Sequence, residues 1–212
     1  MQKLIILIFV LSFSGCSLRA DDSIKTWHLS MNAFSPFFAY YQIDVKKAIS
    51  QKQRISLAPK FYYFTEGDYL IPQNIENLKG GGFDSFYEYI YRTNKDSRLF
   101  FGFGLSYNYL KISSLNVGWE EQNNGEYTYL AFVEKLIHND ISQIGLKVKL
   151  ANQIHIASIF WLEMYGGFGV QYSIANTQNQ LEQFDDTWFG YAYTGIYPFV
   201  GLKLGIELGK KK

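Results

Sequence analysis

Past about residue 22, apolar and polar positions alternate one by one through segment after segment. That is the period of an extended strand with two unlike faces. Over 54–64, Ile55, Leu57, Pro59, Phe61 and Tyr63 share one face, while Arg54, Ser56, Ala58, Lys60 and Tyr62 share the other. Over 98–111, Leu99, Phe101, Phe103, Leu105, Tyr107 and Tyr109 oppose Arg98, Gly102, Gly104, Ser106 and Asn108. Ile144, Leu146, Val148 and Leu150 oppose Gly145, Lys147 and Lys149. Ile196, Pro198, Val200, Leu202, Leu204, Ile206 and Leu208 oppose Gly201, Lys203, Gly205 and Glu207. A longer alternation fills 154–172, with His155, Trp161, Glu163 and Tyr165 on the polar side. Weaker runs at 27–33, 37–47 and 85–92 complete about eight candidate strands, with Tyr87, Tyr89 and Tyr91 opposite Phe86, Glu88 and Arg92 in the last.

The connections alternate in length. Short polar links are expected at 50–53, 93–97 and 151–153, and long polar or glycine-rich ones at 66–82, 113–126 and 175–190. Ser35-Pro36 supplies a brief turn on the same side as the long links. Segment 127–140 reads two ways, as a continuation of a barrel strand or as an arm within the loop. Short turns at one end and long loops at the other are the habit of up-and-down barrels in outer membranes, with the tight turns periplasmic. On that reading both chain termini are periplasmic.

The N-terminal segment changes the picture by implying export. Lys3 precedes the apolar run Leu4-Ile5-Ile6-Leu7-Ile8-Phe9-Val10-Leu11, followed by Ser12-Phe13-Ser14-Gly15-Cys16, the layout of a secretory signal over residues 1–20. The run is shorter than the roughly 20 residues a spanning helix needs. Phe13-Ser14-Gly15-Cys16 resembles a bacterial lipoprotein box, in which Cys16 would carry lipid, except that Phe13 stands where leucine is usual. The other reading cuts after Ala20 and discards the cysteine. Residues 23–212 are then one barrel domain, consistent with a chain of 212 residues.

Composition decides which face looks out. The chain holds 17 Tyr, 18 Phe and 18 Gly but only 4 Pro, which suits long unbroken strands. One face of each strand is apolar or aromatic. The other carries Asp44, Glu88, Glu163 and Glu207 with Lys46, Arg54, Lys60, Arg92, Arg98, Lys147, Lys149 and Lys203. A lysine or arginine facing lipid near mid-depth costs about 2–4 kcal/mol, so the charged face is expected to line the lumen. Asp44, Lys60, Glu88, Arg92, Arg98, Lys147, Glu163 and Lys203 are its predicted inward groups. Tyrosines near strand ends fit aromatic girdles at a lipid boundary. A lipocalin-like soluble barrel would reverse the faces.

The stretches Phe101-Gly102-Phe103-Gly104-Leu105, Tyr165-Gly166-Gly167-Phe168-Gly169-Val170 and Pro198-Phe199-Val200-Gly201-Leu202-Lys203-Leu204-Gly205 resemble small Gram-negative outer-membrane barrel proteins of the OmpA/OmpX-like class. That resemblance implies an all-β, closed up-and-down membrane barrel, with outer-membrane lipid and the barrel assembly machinery as partners. The chain departs from the class in ending Glu207-Leu208-Gly209-Lys210-Lys211-Lys212 instead of on an aromatic.

Candidate chemistry adds little. His28, His138 and His155 lack metal-ligand spacing, although His28 and His155 would both face inward near one end. Gly80-Gly81-Gly82 has no Lys-Ser/Thr after it, so it reads as a flexible loop. The acidic group Glu182, Asp185 and Asp186 reads as a solvated loop. Glu163 is a mid-strand carboxylate beside Trp161 and Tyr165, read as a core ion pair before any acid–base role. A net charge of +1 provides no field for nucleic acid. The sequence therefore predicts a non-enzymatic barrel without cofactor or metal, presenting loops 66–82, 113–126 and 175–190 to an extracellular partner. The alternative is a lipid- or small-molecule-binding barrel, soluble and anchored through Cys16. Eight strands leave room only for side chains, so an open pore is not expected.

Overall fold

The computed structural model describes residues 27–33, 39–65, 75–94, 97–125, 127–157, 159–177 and 190–208. The signal segment with Cys16, the turn at Ser35-Pro36, and most of the 66–82 and 175–190 loops fall outside them. Within the described residues there are eight strands: β1 (Trp27–Asn32), β2 (Tyr40–Ala48), β3 (Gln53–Thr65), β4 (Ile75–Thr93), β5 (Ser97–Asn123), β6 (Thr128–His155), β7 (Phe160–Thr177) and β8 (Gly195–Leu208). Each pairs antiparallel with its sequence neighbour, and β1 pairs with β8 to close the barrel. Closure leaves no edge within the barrel wall, so the ladder satisfies the backbone all the way round.

The alternation read from the sequence sets the two sides of the wall. Met31, Tyr41, Leu57, Phe61, Tyr87, Phe103, Leu105, Leu146, Val148, Phe168, Val170, Val200 and Leu204 are exposed on the outside. Residues of opposite phase, among them Asp44, Lys46, Arg54, Lys60, Glu88, Lys147, Lys149, Glu163 and Lys203, are buried in the lumen.

The link 49–52 and the close approach of Asn94 to Ser97 mark one end, where Ile49 N–H donates to Gln53 O at 2.8 Å and Asn94 N–H to Ser97 O at 2.8 Å. The start of β1 and the finish of β8 lie at this turn end, with Trp27 opposite Leu208. A third turn expected at 151–153 is displaced. Ala151, Asn152 and Gln153 belong to β6, Gln153 is buried opposite Glu163, and the chain reverses beyond His155, where Ile156 N–H donates to Phe160 O at 3.0 Å. Gln153 is polar because it faces the lumen at a strand end, and Asn152 takes the outward phase of the same strand, so neither is in a loop.

At the other end, the described parts of two predicted loops are largely strand. Of 66–82, residues 75–82 form the start of β4, with Gly80, Gly81 and Gly82 paired to Tyr62, Phe61 and Lys60. Neighbouring backbone and side chains crowd Gly80 and Gly82 so closely that a Cβ there would collide with Tyr109 O and Tyr107 O. The triple glycine therefore serves close strand packing. Of 113–126, nearly all is hairpin: β5 and β6 stay in register from Ser97↔Ile154 to Asn123↔Thr128. Segment 127–140 is accordingly continuous with the barrel strand and also forms an arm. β4 leaves β5 at Ser114 and β7 leaves β6 at Asn139, so 115–123 and 128–138 project as a two-stranded ribbon. At about 3.4 Å per residue the arm extends roughly 30 Å past the wall.

Candidate functional sites in the lumen and on the outer arm

Three layers fill the lumen. Nearest the turn end is an ionic layer built by six strands. Lys46 on β2 donates to both oxygens of Glu163 on β7, at 2.7 and 2.6 Å, with Asp44 at 3.6 Å and Glu88 at 3.8 Å. Arg54 on β3 forks between carboxylates: Nε donates to Glu88, and Nη2 donates to Glu163 at 2.7 Å. Its Nη1 reaches Gln153 Oε1 at 2.5 Å, and its guanidinium lies 3.4 Å from the centre of the Phe100 ring. Lys149 pairs with Glu88, and Lys203 pairs with Asp44. The planar fork suits an arginine that must hold two carboxylates at once.

Glycines make these reaches possible. Glu88 and Lys149 are not on adjacent strands; Gly102 lies between them in register, opposite each. Without a side chain at 102, the lysine stem crosses to the carboxylate. In the same way Gly201 faces the Tyr165 ring and Gly205 the Trp161 ring, closely enough that a Cβ at either would collide with it. Tyr165 in turn takes a hydrogen bond from Asn32 Nδ2 at 2.9 Å.

The middle layer holds Asp84 between two lysines, Lys60 at 2.8 Å and Lys147 at 2.9 Å. Above it a polar relay crosses the lumen: Tyr62 Oη donates to Asn108, Asn108 Nδ2 donates to Gln143 Oε1 at 3.0 Å, and Gln143 Nε2 donates to Tyr191 O at 2.5 Å. The third layer is apolar. Ala39, Phe64, Ile75, Leu78, Leu110, Ile112, Ile141 and Ala192 pack together at the loop end, with Tyr62 and Tyr191 against them. Sequence reasoning missed this cap. Its signal was present, since Leu110 and Ile112 continue the inward phase of Gly104, Ser106 and Asn108.

Seven of the eight predicted inward charges have inward phase, six of them buried and Arg98 only half-buried near the turn end. Arg92 does not. It is exposed, because the β4–β5 register shifts between Ile90 and Arg92 and returns the strand end to the outside. His28 packs edge-on to Trp161, ring centres 6.0 Å apart, whereas His155 Nε2 lies 3.2 Å from Glu207. His138 is on the outer surface, 2.9 Å from Ser113 Oγ. Among the described residues no group of three or more His, Cys, Asp or Glu side chains is arranged to hold a metal. Glu163, the one carboxylate weighed for acid–base chemistry, is committed to Lys46 and Arg54.

On the outside, the apolar face of β5 and β6 ends at a polar collar. Tyr109 Oη donates to Asp140 at 3.1 Å, Lys111 lies over the Tyr109 ring, and Ser113 meets His138. Beyond the collar the arm carries exposed Trp119, Leu130, Phe132 and Leu136.

No protein-family profile matches the chain, and no curated protein matches it. Among solved structures, that of Acinetobacter baumannii CarO aligns over 87% of this chain and 96% of its own, at 10% identity and a TM-score of 0.43.

Proposed function

We propose that this chain is an exported, non-enzymatic outer-membrane barrel that presents its loop end and the β5–β6 arm to the outside of the cell. The observation that carries the proposal is the inversion of its two sides: apolar and aromatic residues cover the outer wall, while the ion pairs are in the lumen. In water such a wall would leave far more contiguous apolar surface than a soluble monomer tolerates. The belt also has the right height. Leu99 to Tyr109 spans about ten residues, roughly 34 Å of strand at about 3.4 Å each, and a tilt of about 40° reduces this to about 26 Å. The collar of Lys111, Ser113, His138 and Asp140 then marks the outer boundary, and Lys47 stacked over Trp27 at 5.2 Å suits the inner one.

In this orientation the short turns and both strand termini are periplasmic, and the export signal lies within residues 1–20; cleavage before Cys16 would leave a lipid there as a second anchor, whereas cleavage after Ala20 removes it. The lumen is crossed by ion pairs and capped by the Leu78–Leu110–Ile141 cluster, which suits a plug better than a channel or a lipid-binding cavity. Outer-membrane lipid and the assembly machinery are the partners this reading needs.

Fractionation of cells producing the full chain tests the proposal. The barrel is expected in the outer membrane, extractable only with detergent, and migrating faster in unheated than in boiled samples. Recovery of folded protein from buffer without detergent would overturn the membrane reading in favour of a soluble barrel.

A further inference from the structure

The collar sets two like charges face to face. Lys79 on β4 lies directly opposite Lys111 on β5 in the ladder, and both are exposed on the outer face. Directly opposed residues have Cβ atoms about 4.5–5.5 Å apart, and like charges in that relation destabilise a sheet. Among the described residues neither lysine has an ion pair to offset this. Asp140, opposite Lys111 on β6, takes the Tyr109 hydroxyl at 3.1 Å instead. Lys111 Nζ leans the other way, over the Tyr109 ring at 5.9 Å from its centre.

Directly below the lysine pair the outer wall has a notch. Gly81 takes the outward phase, between Phe61 on β3 and Tyr109 on β5. Crowding by Tyr109 O and Tyr107 O requires glycine at 80 and 82, but not at 81. A Cβ at 81 would meet only Lys60 O, at 3.8 Å, which is ordinary contact. The absent side chain therefore leaves a slot in the belt. Phe61 and Tyr109 flank it, and Phe83 lies beneath it, its ring 6.2 Å from that of Tyr107. The two ammonium groups stand at its upper end.

We propose that this part of the collar holds one anionic lipid of the outer leaflet, with its phosphate on Lys79 and Lys111 and an acyl chain in the slot over Gly81. The inference rests on the membrane reading, which puts Lys111 at the outer boundary and Gly81 just inside the belt. A phosphate between the lysines converts their repulsion into two charge-assisted contacts. Lysine binds phosphate as a point charge, so no fixed fork geometry is needed. Basic groups at a membrane surface favour anionic headgroups in the same way. An acyl chain in the slot restores dispersion contacts that a gap in the wall would forfeit. Tyr63, opposite Lys79 and 60% exposed, adds an aromatic ring at headgroup level. The apolar slot favours a lipid over a free anion, which would use the lysines alone.

Native mass spectrometry of the full chain, extracted in mild detergent and titrated with phosphatidic acid or phosphatidylcholine of the same acyl chains, gives the test. One phosphatidic acid is expected to stay bound, with phosphatidylcholine about tenfold weaker. Lys79→Gln combined with Lys111→Gln should weaken phosphatidic acid about tenfold or more, whereas Lys52→Gln at the turn end should not. Lys79→Arg combined with Lys111→Arg keeps both charges and should keep the lipid, which separates loss of the site from loss of the fold. Gly81→Leu fills the slot without striking the backbone. It should weaken the lipid several-fold and leave inorganic phosphate unaffected. All these side chains project outward, so heat-modifiable migration should persist in every variant. Equal affinity for the two lipids, or no loss in the glutamine variant, overturns the site and leaves the barrel proposal standing. Inorganic phosphate that displaces the lipid at equal concentration, with Gly81→Leu silent, overturns it too and assigns the lysines to a free anion. A chain that folds without detergent overturns both.

Discussion

Lys46 and Glu163 meet across the lumen, 117 positions apart in sequence, with the ammonium on both carboxylate oxygens at 2.7 and 2.6 Å. Their strands, β2 and β7, are not neighbours in the sheet, so the contact exists only because β1 and β8 close the ring between them. Both side chains are fully buried. Removing one partner strands a charge in a low-dielectric interior, which costs far more than an exposed pair contributes.

Glu163→Gln leaves Lys46 and Arg54 without their shared carboxylate. The barrel is expected to lose about 3 kcal/mol or more, read from the midpoint of urea unfolding in lipid vesicles. Replacing both Lys46 and Glu163 by Met and Leu should cost less than the sum of the single changes. Strict additivity would show that the pair is not coupled.

Gly201→Val drives a side chain into the Tyr165 ring. Overpacking of this kind typically costs about 1–3 kcal/mol. Tyr165→Ala in the same chain should recover part of the loss, because it removes the ring while keeping the wall intact. No recovery in the double variant would place the strain elsewhere.

Arg92 and Arg54 are both arginines at the turn end, yet their substitutions should differ sharply. Arg92→Ala is expected to change stability by no more than about 0.5 kcal/mol, as for other exposed sites. Arg54→Ala uncouples Glu88, Glu163 and Gln153 and should cost about 3–5 kcal/mol. Similar losses for both would contradict the outward placement of Arg92.

These contrasts also show what could and could not be read from the chain. The outer wall was legible because lipid-facing and lumen-facing positions must alternate, and residues such as Phe103, Leu105, Leu146 and Val148 obey that rule strictly. The identity of lumen partners was not legible. Whether Arg54 reaches Glu163 or Lys149 reaches Glu88 depends on barrel shear and on the gap at Gly102, neither of which follows from period alone. The register shift before Arg92 breaks the alternation locally without any glycine or proline to announce it. The arm was hidden for a different reason. Polar, glycine-containing stretches at 113–126 read as loop, whereas a ribbon in water needs only one apolar face. The cap of Leu78, Leu110 and Ile141 lies on the polar phase and interrupts it, so a charge-based reading passed over it.

Phe103→Lys places a charge in the middle of the proposed belt. Vesicle-inserted barrel is expected to be destabilised by about 2–4 kcal/mol, whereas Lys at a collar position such as Ser113 should cost about 1 kcal/mol or less. Equal tolerance of lysine at both positions would point to a wall facing water.

Nitroxide accessibility along β5 measures most directly which side of the wall faces lipid. Single labels at positions 101–109, introduced into vesicle-reconstituted protein lacking Cys16, would be tested against oxygen dissolved in the lipid and against a water-soluble nickel chelate. The expected result is a period of two: oxygen reaches 101, 103, 105 and 107, and neither reagent reaches 102, 104 and 106 in the packed lumen. Chelate access at 101, 103, 105 and 107 would contradict the membrane barrel outright.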